Sequence, residues 1–275
     1  MAIVTLSTDI GQQDYIVGAF KGQLLSKKQD LIIVDICHYL SQSNFPEAAY
    51  ICGNAFKHFP PQTIHIVIVN FFEKNVEDLL IAEFNNQIII CADNGILTMI
   101  TDAEPVVVYK LSYNCLNTFL QITQQISEVV AAIANGNKIS DIGIITNLFV
   151  VKNPLRITVA ENFIKGHIIF IDNFENVVIN ISKQVFETHR KGRKFIVIFK
   201  RNEKVEGLSN GYLSVKDGDN LAWFNSAGYL ELAVNKGNMA GLFGLQEFNE
   251  LNYKEGKSMQ NKLFYSTAVT ILFQD

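Results

Sequence analysis

The sequence predicts an α/β fold in two domains. An N-terminal three-layer α/β domain with a mainly parallel sheet is expected over residues 1–153, and a smaller C-terminal all-β barrel domain over residues 160–275. In the first half, short apolar runs rich in β-branched residues alternate with longer amphipathic segments, as in βαβ units. After Asn153-Pro154, short strands follow one another between turns that contain glycine or asparagine. A chain of 275 residues is long enough for two domains of this kind.

The strands of the first half are continuous apolar runs, which is typical of a sheet buried on both faces. The pattern therefore predicts helices on both sides of this sheet. The expected strands are Ala2–Leu6, Leu31–Ile36, Thr63–Asn70, Leu80–Phe84, Gln87–Cys91 and Pro105–Leu111; the expected helices are Tyr15–Lys27, Pro46–His58 and a segment around Ile126–Ala134, which ends at Asn135-Gly136.

The second half contains short strands with frequent turn signals, which predicts a barrel or a sandwich. The expected strands are Phe163–Ile171, Val177–Ile181, Lys194–Phe199, Leu221–Asn225, Tyr229–Val234 and Lys262–Ile271.

Composition excludes several classes of partner. A formal net charge of −4 gives no basic field for a phosphate backbone, and the basic run at residues 189–194 is expected to be a solvated turn. No apolar stretch approaches the ~20 residues that span a bilayer, and the N-terminus lacks a signal-peptide pattern, so we expect a cytoplasmic protein without nucleic-acid or membrane partners. The cysteines lack a CxxC pair, which predicts buried, reduced thiols at Cys37, Cys52, Cys91 and Cys115.

The first expected strand ends in Ser7-Thr8-Asp9-Ile10-Gly11. In open α/β sheets, ligands bind outside the carboxyl ends of the strands. The Asp9 carboxylate can accept two hydrogen bonds, which suits a ribose diol, and Gly11 lets the backbone turn closely. On local pattern alone, an N-cap role for Asp9 in the following helix is an equally good hypothesis.

A metal site is a further alternative, because Asp9, Asp14, Asp35 and His38 lie near two strand ends. That hypothesis would resemble the nucleoside hydrolases, but their aspartate cluster needs more aspartates than STDIGQQDY supplies. A structural role for His38 near a sheet edge is favoured, and no metal site is predicted. Neither a glycine-rich phosphate loop nor a GxSxG motif follows a strand, which disfavours nucleotide polyphosphates and acyl transfer.

The segment Ile171-Asp172-Asn173-Phe174-Glu175-Asn176 combines an aromatic ring, a carboxylate and an amide between two strands. A purine can stack on Phe174 while the Asn176 amide contacts its edge, and Asp172 can hold an ammonium group. Taken alone, a polar hairpin with a buried Phe is the favoured interpretation. Asp93-Asn94-Gly95 is interpreted as an ordinary turn.

Eight segments in order resemble the S-adenosylmethionine hydroxide adenosyltransferase family, relatives of fluorinase and chlorinase. They are STDIG, DYIVGAFKG, IVDICH, FPEAAY, FPPQTIHIVIV, ADNG, IDNFENVVINI and FNSAGYLELAVNKGN. The resemblance covers nearly the whole chain and implies an α/β domain followed by a β-barrel domain. It also implies a homotrimer, with ligand sites between neighbouring subunits.

The resemblance also implies which residues bind the ligand. Asp9 would hold the ribose hydroxyls, Asp172 the methionine amine, and Phe174 and Asn176 the adenine. Ser226, in Asn225-Ser226, would hold the methionine carboxylate, and backbone near Asn235–Asn238 would contact adenine. The ligand is the substrate, so no separate cofactor is implied.

The catalytic set of the family is where the sequence departs from the resemblance. Water-using members of the family position water with an Asp-Arg-His set. Here Asn70 stands at the aspartate, no arginine follows, and Leu120-Gln121-Ile122-Thr123 stands where the histidine motif is expected. Asn70 and Gln121 remain weak candidates for a catalytic role, because an amide orients water but does not readily take its proton.

Two functions follow from these expectations. The first is cleavage of S-adenosylmethionine to adenosine and methionine with an altered water-activating set. The second is binding or sensing of S-adenosylmethionine or adenosine without turnover. A halogenase, with Gln121 or Thr123 near the anion, and a metal-dependent nucleosidase are less favoured.

Overall fold

The computed structural model describes residues 1–72, 78–102, 107–111, 118–245 and 268–274. The chain divides into two compact units, Met1–Pro154 and Leu155–Asp275. Each unit has hydrophobic core clusters of its own. Among the described residues, no helix is long and apolar enough to cross a membrane.

The first unit alternates strands and helices, as the sequence predicts. Its elements are β1 (Ile3–Thr8), α1 (Ile16–Lys27), β2 (Ile32–Cys37), α2 (Phe45–Phe56), β3 (Ile64–Ile68), β4 (Leu79–Phe84), β5 (Gln87–Ala92), α3 (Ile96–Thr101), β6 (Val107–Leu111), α4 (Phe119–Ala134) and β7 (Ile144–Ile145). The predicted strand from Pro105 begins outside the described residues, and the described part is β6.

The seven strands form one sheet in the order β2-β1-β3-β5-β4-β6-β7. The pairs β2-β1, β1-β3 and β3-β5 are parallel, whereas β4 is antiparallel to both β5 and β6, and β6 is antiparallel to β7. The α/β class is confirmed, and the sheet is mixed: its parallel pairing is confined to the half that contains β1.

Helices cover both faces of this sheet. On one face, α1 and α4 pack on side chains such as Leu6 and Ile66. On the other face, α2 and α3 pack on side chains such as Val67 and Leu80. Ile66 and Val67 are consecutive residues of β3 and point to opposite faces, so both must be apolar. The three-layer prediction is confirmed.

Local sequence fixes where two helices begin. Asn44 caps α2, since its Oδ1 accepts a hydrogen bond from the Glu47 backbone N–H at 2.9 Å, and Pro46 occupies the first turn. Thr118 caps α4 in a capping box with Gln121. Caps of this kind satisfy backbone N–H groups that the first turn leaves without an intrahelical partner.

The second unit is built on an antiparallel sheet of eight described strands. Its elements are β8 (Thr158–Val159), β9 (Phe163–Ile171), β10 (Val177–Ser182), α5 (Lys183–Arg190), β11 (Lys194–Lys200), β12 (Glu203–Glu206), β13 (Asn220–Phe224), β14 (Tyr229–Val234), α6 (Met239–Phe243) and β15 (Ala268–Gln274). The order is β12-β11-β15-β9-β10-β14-β13, with β8 beside β9. The edge strands β12 and β13 approach each other, which gives a nearly closed, barrel-like sheet.

The sequence did not predict α5, β12 or α6, and residues 262–267 of the last predicted strand lie outside the described residues. The basic run at 189–194 joins α5 to β11, and its arginines pack on aromatic rings: the Arg190 guanidinium lies 5.2 Å from the Phe195 ring centre, and that of Arg193 lies 4.5 Å from the Phe273 ring centre. These cation–π contacts give the run a structural role that a solvated turn would lack.

The described cysteines are free thiols. Cys52 and Cys91 are buried, and Cys37 is half-buried. Burial raises the pKa of the Cys52 thiol to about 12, so it stays protonated and unreactive at neutral pH. Cys115 lies outside the described residues.

Candidate functional site

The first unit has a topological switch point at the carboxyl ends of β1 and β3. The chain leaves β1 for β2 on one side, then crosses to β3 on the other side of β1. The connecting helices α1 and α2 pack on opposite faces of the sheet. In open α/β sheets, ligands bind in the crevice that such a point leaves, and we call the region at the ends of β1 and β3 the crevice.

Asp9 and Asn70 flank this crevice. Asp9 directly follows β1, and Asn70 lies two residues beyond the end of β3. The Asn70 N–H donates to Asp9 Oδ2 at 2.7 Å, and the Asp9 N–H donates to Ile68 O at 3.3 Å. Asn70 has a φ of 51°, a left-handed conformation that asparagine tolerates better than most residues. The carboxylate of Asp9 is thus held at the crevice.

Asp9 does not cap the helix that follows it. The N-cap of α1 is Tyr15, whose side chain makes no cap hydrogen bond, and the carboxylate that serves this turn is Asp14, whose Oδ1 accepts from the Ile16 N–H at 2.9 Å. The N-cap alternative for Asp9 is therefore wrong.

His38 braces the Asp9 loop from the neighbouring strand end. Its Nδ1 lies 2.8 Å from Thr8 Oγ1, and its backbone carbonyl accepts from the Gly11 N–H at 2.6 Å. The Leu40 N–H donates to Thr8 O at 3.1 Å. His38 is only 2% exposed, so these contacts are shielded from water. The expected structural role of His38 is confirmed, and it extends to both sides of Asp9.

Asp35 completes this brace at the protein surface. Its Oδ1 lies 3.2 Å from His38 Nε2, and its Oδ2 accepts from Lys21 Nζ at 2.5 Å. Partial burial raises the pKa of this carboxyl, but the hydrogen bonds from Lys21 and His38 outweigh burial and leave the pKa below its ordinary value. Among the described residues, no three His, Cys, Asp or Glu side chains come together in a group that could hold a metal ion.

Asn94, which the sequence placed in an ordinary turn, is a buried polar residue. Its Nδ2 donates to Val69 O at 2.8 Å, and its Oδ1 accepts from the Ile96 N–H at 3.2 Å. The side chain therefore ties the end of β3 to the start of α3, directly beside Asn70. The Asp93-Asn94-Gly95 pattern indicated a turn, and only the tertiary structure shows that its amide supports the crevice.

The two weak catalytic candidates have different surroundings. Asn70 lies at the crevice, as described above. Gln121 is the third residue of α4, where its Oε1 accepts from the Thr118 N–H at 3.0 Å and its own N–H donates to Thr118 Oγ1 at 3.3 Å. Gln121 thus serves a helix terminus. Residues 73–77, where the family pattern continues after Asn70, lie outside the described residues.

In the second unit, Asp172 organises the loop between β9 and β10. Its Oδ1 accepts from the backbone N–H groups of Phe174 at 2.9 Å and Asn176 at 2.8 Å, and its Oδ2 accepts from Asn176 Nδ2 at 3.0 Å. Phe174, at the tip, is 78% exposed. A hairpin with a buried Phe is therefore wrong for this loop, which presents an aromatic ring to solvent on a rigid polar base.

Asn225 and Ser226 form the turn between β13 and β14. Asn225 Oδ1 accepts from the N–H groups of Ala227 at 3.0 Å and Tyr229 at 3.2 Å, and Ser226 is exposed.

This turn and the Asp172 loop lie at opposite ends of β10. Val177 opposes Leu232, and Ser182 opposes Tyr229. With about 3.3 Å per residue, the six residues of β10 separate the two turns by roughly 17 Å. The Asn235–Asn238 segment, by contrast, follows β14 at the end that carries Asn176. A ligand that touches both turns of one unit must extend along the strand.

Beneath this loop, the second unit buries a carboxylate that the sequence did not indicate. Glu231 is 4% exposed, and its Oε1 accepts from Tyr212 OH at 2.5 Å and from Trp223 Nε1 at 2.8 Å. The Tyr212 oxygen in turn accepts from Asn176 Nδ2 at 3.4 Å. Burial and the neighbouring Glu231 carboxylate both raise the pKa of Tyr212, so its hydroxyl stays protonated.

Comparison with known proteins agrees with the division of the chain into these two units. A model of the SAM hydroxide adenosyltransferase N-terminal domain matches residues 4–143, and a model of the C-terminal domain of the same family matches residues 166–252. The chain belongs to the SAM hydroxide adenosyltransferase family. The resemblance seen in the eight ordered segments is confirmed.

One curated relative and two solved structures resemble this adenosyltransferase family member over 90% or more of its chain. The chain is 24% identical over 267 residues to the (R)-S-adenosyl-L-methionine hydrolase of Methanocaldococcus jannaschii, with 90% of this chain and 94% of the relative covered. A conserved protein from Thermotoga maritima has the same fold, with a TM-score of 0.79 at 21% identity, over 99% of this chain and 100% of that one. A conserved hypothetical protein from Thermus thermophilus has a TM-score of 0.72 at 19% identity, with both chains fully covered.

Proposed function

We propose that this protein binds S-adenosylmethionine and cleaves it to adenosine and methionine. A water oxygen attacks ribose C5′, the C5′–S bond breaks, and its electron pair returns to sulfur, which leaves as the methionine thioether. The water proton passes to solvent. The observation that carries the proposal is the Asp9 carboxylate, fixed at the switch point of the sheet by the Asn70 N–H at 2.7 Å. Membership of the family and the hydrolase name of the archaeal relative support it.

Asp9 is proposed to accept the two ribose hydroxyls. An ionised carboxylate is acceptor-only, and its two oxygens match the spacing of a vicinal diol. The bracing by Asn70 and His38 means that Asp9 does not have to reorganise when the ligand arrives, which favours binding.

The loop at Asp172 is proposed to hold the adenine and the methionine amine. Phe174 offers an exposed ring for stacking, and Asn176 an amide for the purine edge. An ionised carboxylate has about four positions that can accept a hydrogen bond. Three hydrogen bonds within the loop already occupy positions on Asp172, so about one remains for an ammonium group. Ser226, exposed in its turn, is proposed for the methionine carboxylate.

We also propose that the complete site forms in a homotrimer, with facing residues from neighbouring subunits, as the family resemblance implies. The amine and the carboxylate of methionine are bonded to the same carbon atom, whereas roughly 17 Å separate the Asp172 loop from the Ser226 turn within one unit. This distance supports a site in which Asp172 and Ser226 come from different subunits. The three described cysteines are free thiols, which supports a cytoplasmic location. The reaction requires no cofactor beyond its substrate.

Attack by water at C5′ needs less catalytic assistance from the protein than most hydrolyses do. The sulfonium makes methionine a good leaving group, so alignment of the water with the C–S bond and exclusion of bulk solvent are the main tasks. Asn70, at the crevice beside Asp9, is proposed to orient the water. An amide does not take the proton, so turnover is expected to be slow relative to an enzyme with a carboxylate at this position.

A second function, binding without turnover, is favoured by one observation. Of the two residues that could replace the family's catalytic set, Gln121 serves the capping box of α4. The protein would then hold S-adenosylmethionine or adenosine as a sensor.

One experiment separates these functions. The purified protein is incubated with S-adenosylmethionine, adenosine is followed by chromatography, and binding is measured by calorimetry. The proposed hydrolase produces adenosine above the spontaneous background, in proportion to protein concentration. Binding with adenosine only at the background rate would instead establish the sensor, and absence of binding would refute both.

A further inference from the structure

A chain of hydrogen bonds runs beneath the Phe174 loop, and its direction is fixed at both ends. At one end, Trp223 Nε1 can only donate, so Glu231 Oε1 must accept at 2.8 Å. The same oxygen lies 2.5 Å from Tyr212 OH, and therefore the tyrosine proton points to Glu231. The Tyr212 oxygen is left as an acceptor.

At the other end, the Asp172 carboxylate is acceptor-only and lies 3.0 Å from the Asn176 side chain. Two atoms lie beside this amide nitrogen, Asp172 Oδ2 and the Tyr212 oxygen. Each of them accepts a hydrogen bond and so needs a donor opposite it. Only the NH₂ of Asn176 can supply two hydrogens, so the amide orientation follows from the chemistry of its neighbours. Among the described residues, no hydrogen bond uses Asn176 Oδ1, and it is not one of their enclosed polar atoms without a partner. This oxygen is therefore not fully enclosed, although Asn176 as a whole is only 4% exposed.

We propose that Asp172 and Tyr212, whose hydroxyl donates to Glu231, are positioning residues that together hold the Asn176 amide with its oxygen outward, and so make the site select a 6-aminopurine over a 6-oxopurine. This inference rests on the proposed function, which places a purine at Asn176. An adenine amino group donates to the outward oxygen. The 6-oxo group of hypoxanthine would place a second acceptor against it, and neither could be satisfied.

The test compares three nucleosides by calorimetry: adenosine, purine riboside, which has no group at position 6, and inosine. The expected order of affinity is adenosine, then purine riboside, then inosine. With inosine, the hydrogen bond from the 6-amino group is lost and the Asn176 oxygen faces another acceptor. This loss corresponds to roughly a 10- to 100-fold preference for adenosine over inosine.

Variants then test the chain of hydrogen bonds. In Asp172→Asn the amide oxygen can still accept from the backbone N–H groups of Phe174 and Asn176, so the loop is kept, while a donor NH₂ group replaces the oxygen that faced the Asn176 side chain. Tyr212→Phe removes the other acceptor and keeps the ring, whose centre lies 4.9 Å from that of Trp223. Tyr212→Phe leaves Asp172 to orient Asn176 and is expected to keep most of the preference. Asp172→Asn sets its new NH₂ group against the NH₂ orientation that Tyr212 requires, so an intermediate preference is expected. The double variant releases the amide, and its preference is expected to fall to about threefold or less.

The ratio of the two affinities is the informative measurement, since general damage to the site weakens both nucleosides alike. Trp223→Phe is the matched control: it removes a donor to Glu231 but leaves the Tyr212–Asn176 contact, so the preference is expected to persist. Glu231→Gln retains an oxygen acceptor for Trp223 and Tyr212 and should also preserve it. Equal binding of adenosine and inosine by the unmodified protein, or an unchanged ratio in the double variant, would overturn the inference. Failure to bind any nucleoside or S-adenosylmethionine would overturn the proposed function itself.

Discussion

Asn70 donates its backbone N–H to Asp9 Oδ2 at 2.7 Å, across the crevice between the ends of β1 and β3. This bond joins the proposed ribose-binding carboxylate to the position where the family pattern has an aspartate. The two residues are 61 positions apart in the chain. Because the donor is a backbone group, residue 70 can orient Asp9 whatever side chain it carries.

Asp9→Asn is expected to weaken adenosine binding by roughly 10- to 100-fold, because hydrogen bonds to a charged acceptor stabilise a complex more than those to an amide. The amide oxygen can still accept from Asn70, so the fold is expected to survive. Calorimetry with adenosine measures the effect.

Asp14→Asn is the matched control for this prediction, as an exposed aspartate of the same segment. It is expected to bind adenosine like the unmodified protein. Equal affinity of the Asp9→Asn variant and the unmodified protein would show that Asp9 does not touch the ribose.

His38→Ala is expected to destabilise the protein by about 1–3 kcal/mol, because Thr8 Oγ1 loses its buried partner and a cavity is left. For a domain of about 150 residues, this corresponds to a fall in Tm of very roughly 3–10 °C. Thermal unfolding by circular dichroism gives the value.

His58→Ala serves as the control for the His38 variant, because this histidine is exposed. An unchanged Tm is expected for it. If His38→Ala also unfolded at the unmodified temperature, the brace around Asp9 would contribute nothing to stability.

Because His65 is buried, we expect the protein to lose stability as the pH falls. His65 is fully buried in β3, stacks on Phe56 with ring centres 3.7 Å apart, and burial lowers its pKa from 6.5 to about 4. Between these values the unfolded chain binds a proton that the folded chain does not, so the free energy of unfolding rises with pH in this range. From pH 7 to pH 5, the contribution of His65 is expected to fall by about 2 kcal/mol.

Urea unfolding of His65→Gln and His58→Gln at both pH values tests this linkage. The His65 variant is expected to show a smaller difference between pH 7 and pH 5, whereas His58→Gln should match the unmodified protein. An unaltered pH dependence in the His65 variant would show that folding does not lower the pKa of this ring.

The sequence predicts much of this fold because the signals are local. The strand at Phe163–Ile171 is predicted with the bounds observed for β9, and the parallel half of the first sheet follows from continuous apolar runs. Position relative to strand ends made Asp9 a candidate site residue, on a par with an N-cap role that the structure excludes. Helix α5 was missed because its polar sequence lacks a long apolar stripe.

The supporting residues of the site could not be predicted, since their roles depend on distant partners. Asn94 acts through Val69, and Glu231 through Tyr212 and Asn176. Glu231 was hidden within a strand whose neighbours are apolar, and its burial is tolerable only because two donors from other elements reach one of its oxygens. No local pattern encodes that arrangement.

Phe174 offers the clearest separation of binding from stability. An aromatic ring that is 78% exposed contributes little to the folded state, so Phe174→Ala is expected to change the free energy of unfolding by no more than about 0.5 kcal/mol. If the ring stacks on adenine, the same variant loses roughly 1–3 kcal/mol of binding, or about 5- to 150-fold in affinity for adenosine. Urea unfolding and calorimetry on one preparation give both quantities.

Leu213→Ala is the matched control for the Phe174 variant, because Leu213 is 88% exposed in the same unit. It is expected to leave both quantities unchanged. Phe174→Tyr retains a stacking ring and should bind adenosine within about threefold of the unmodified protein. If Phe174→Ala bound adenosine as tightly as Phe174→Tyr, the exposed ring would not be part of the adenine site, and its exposure would have to serve contacts with another protein surface.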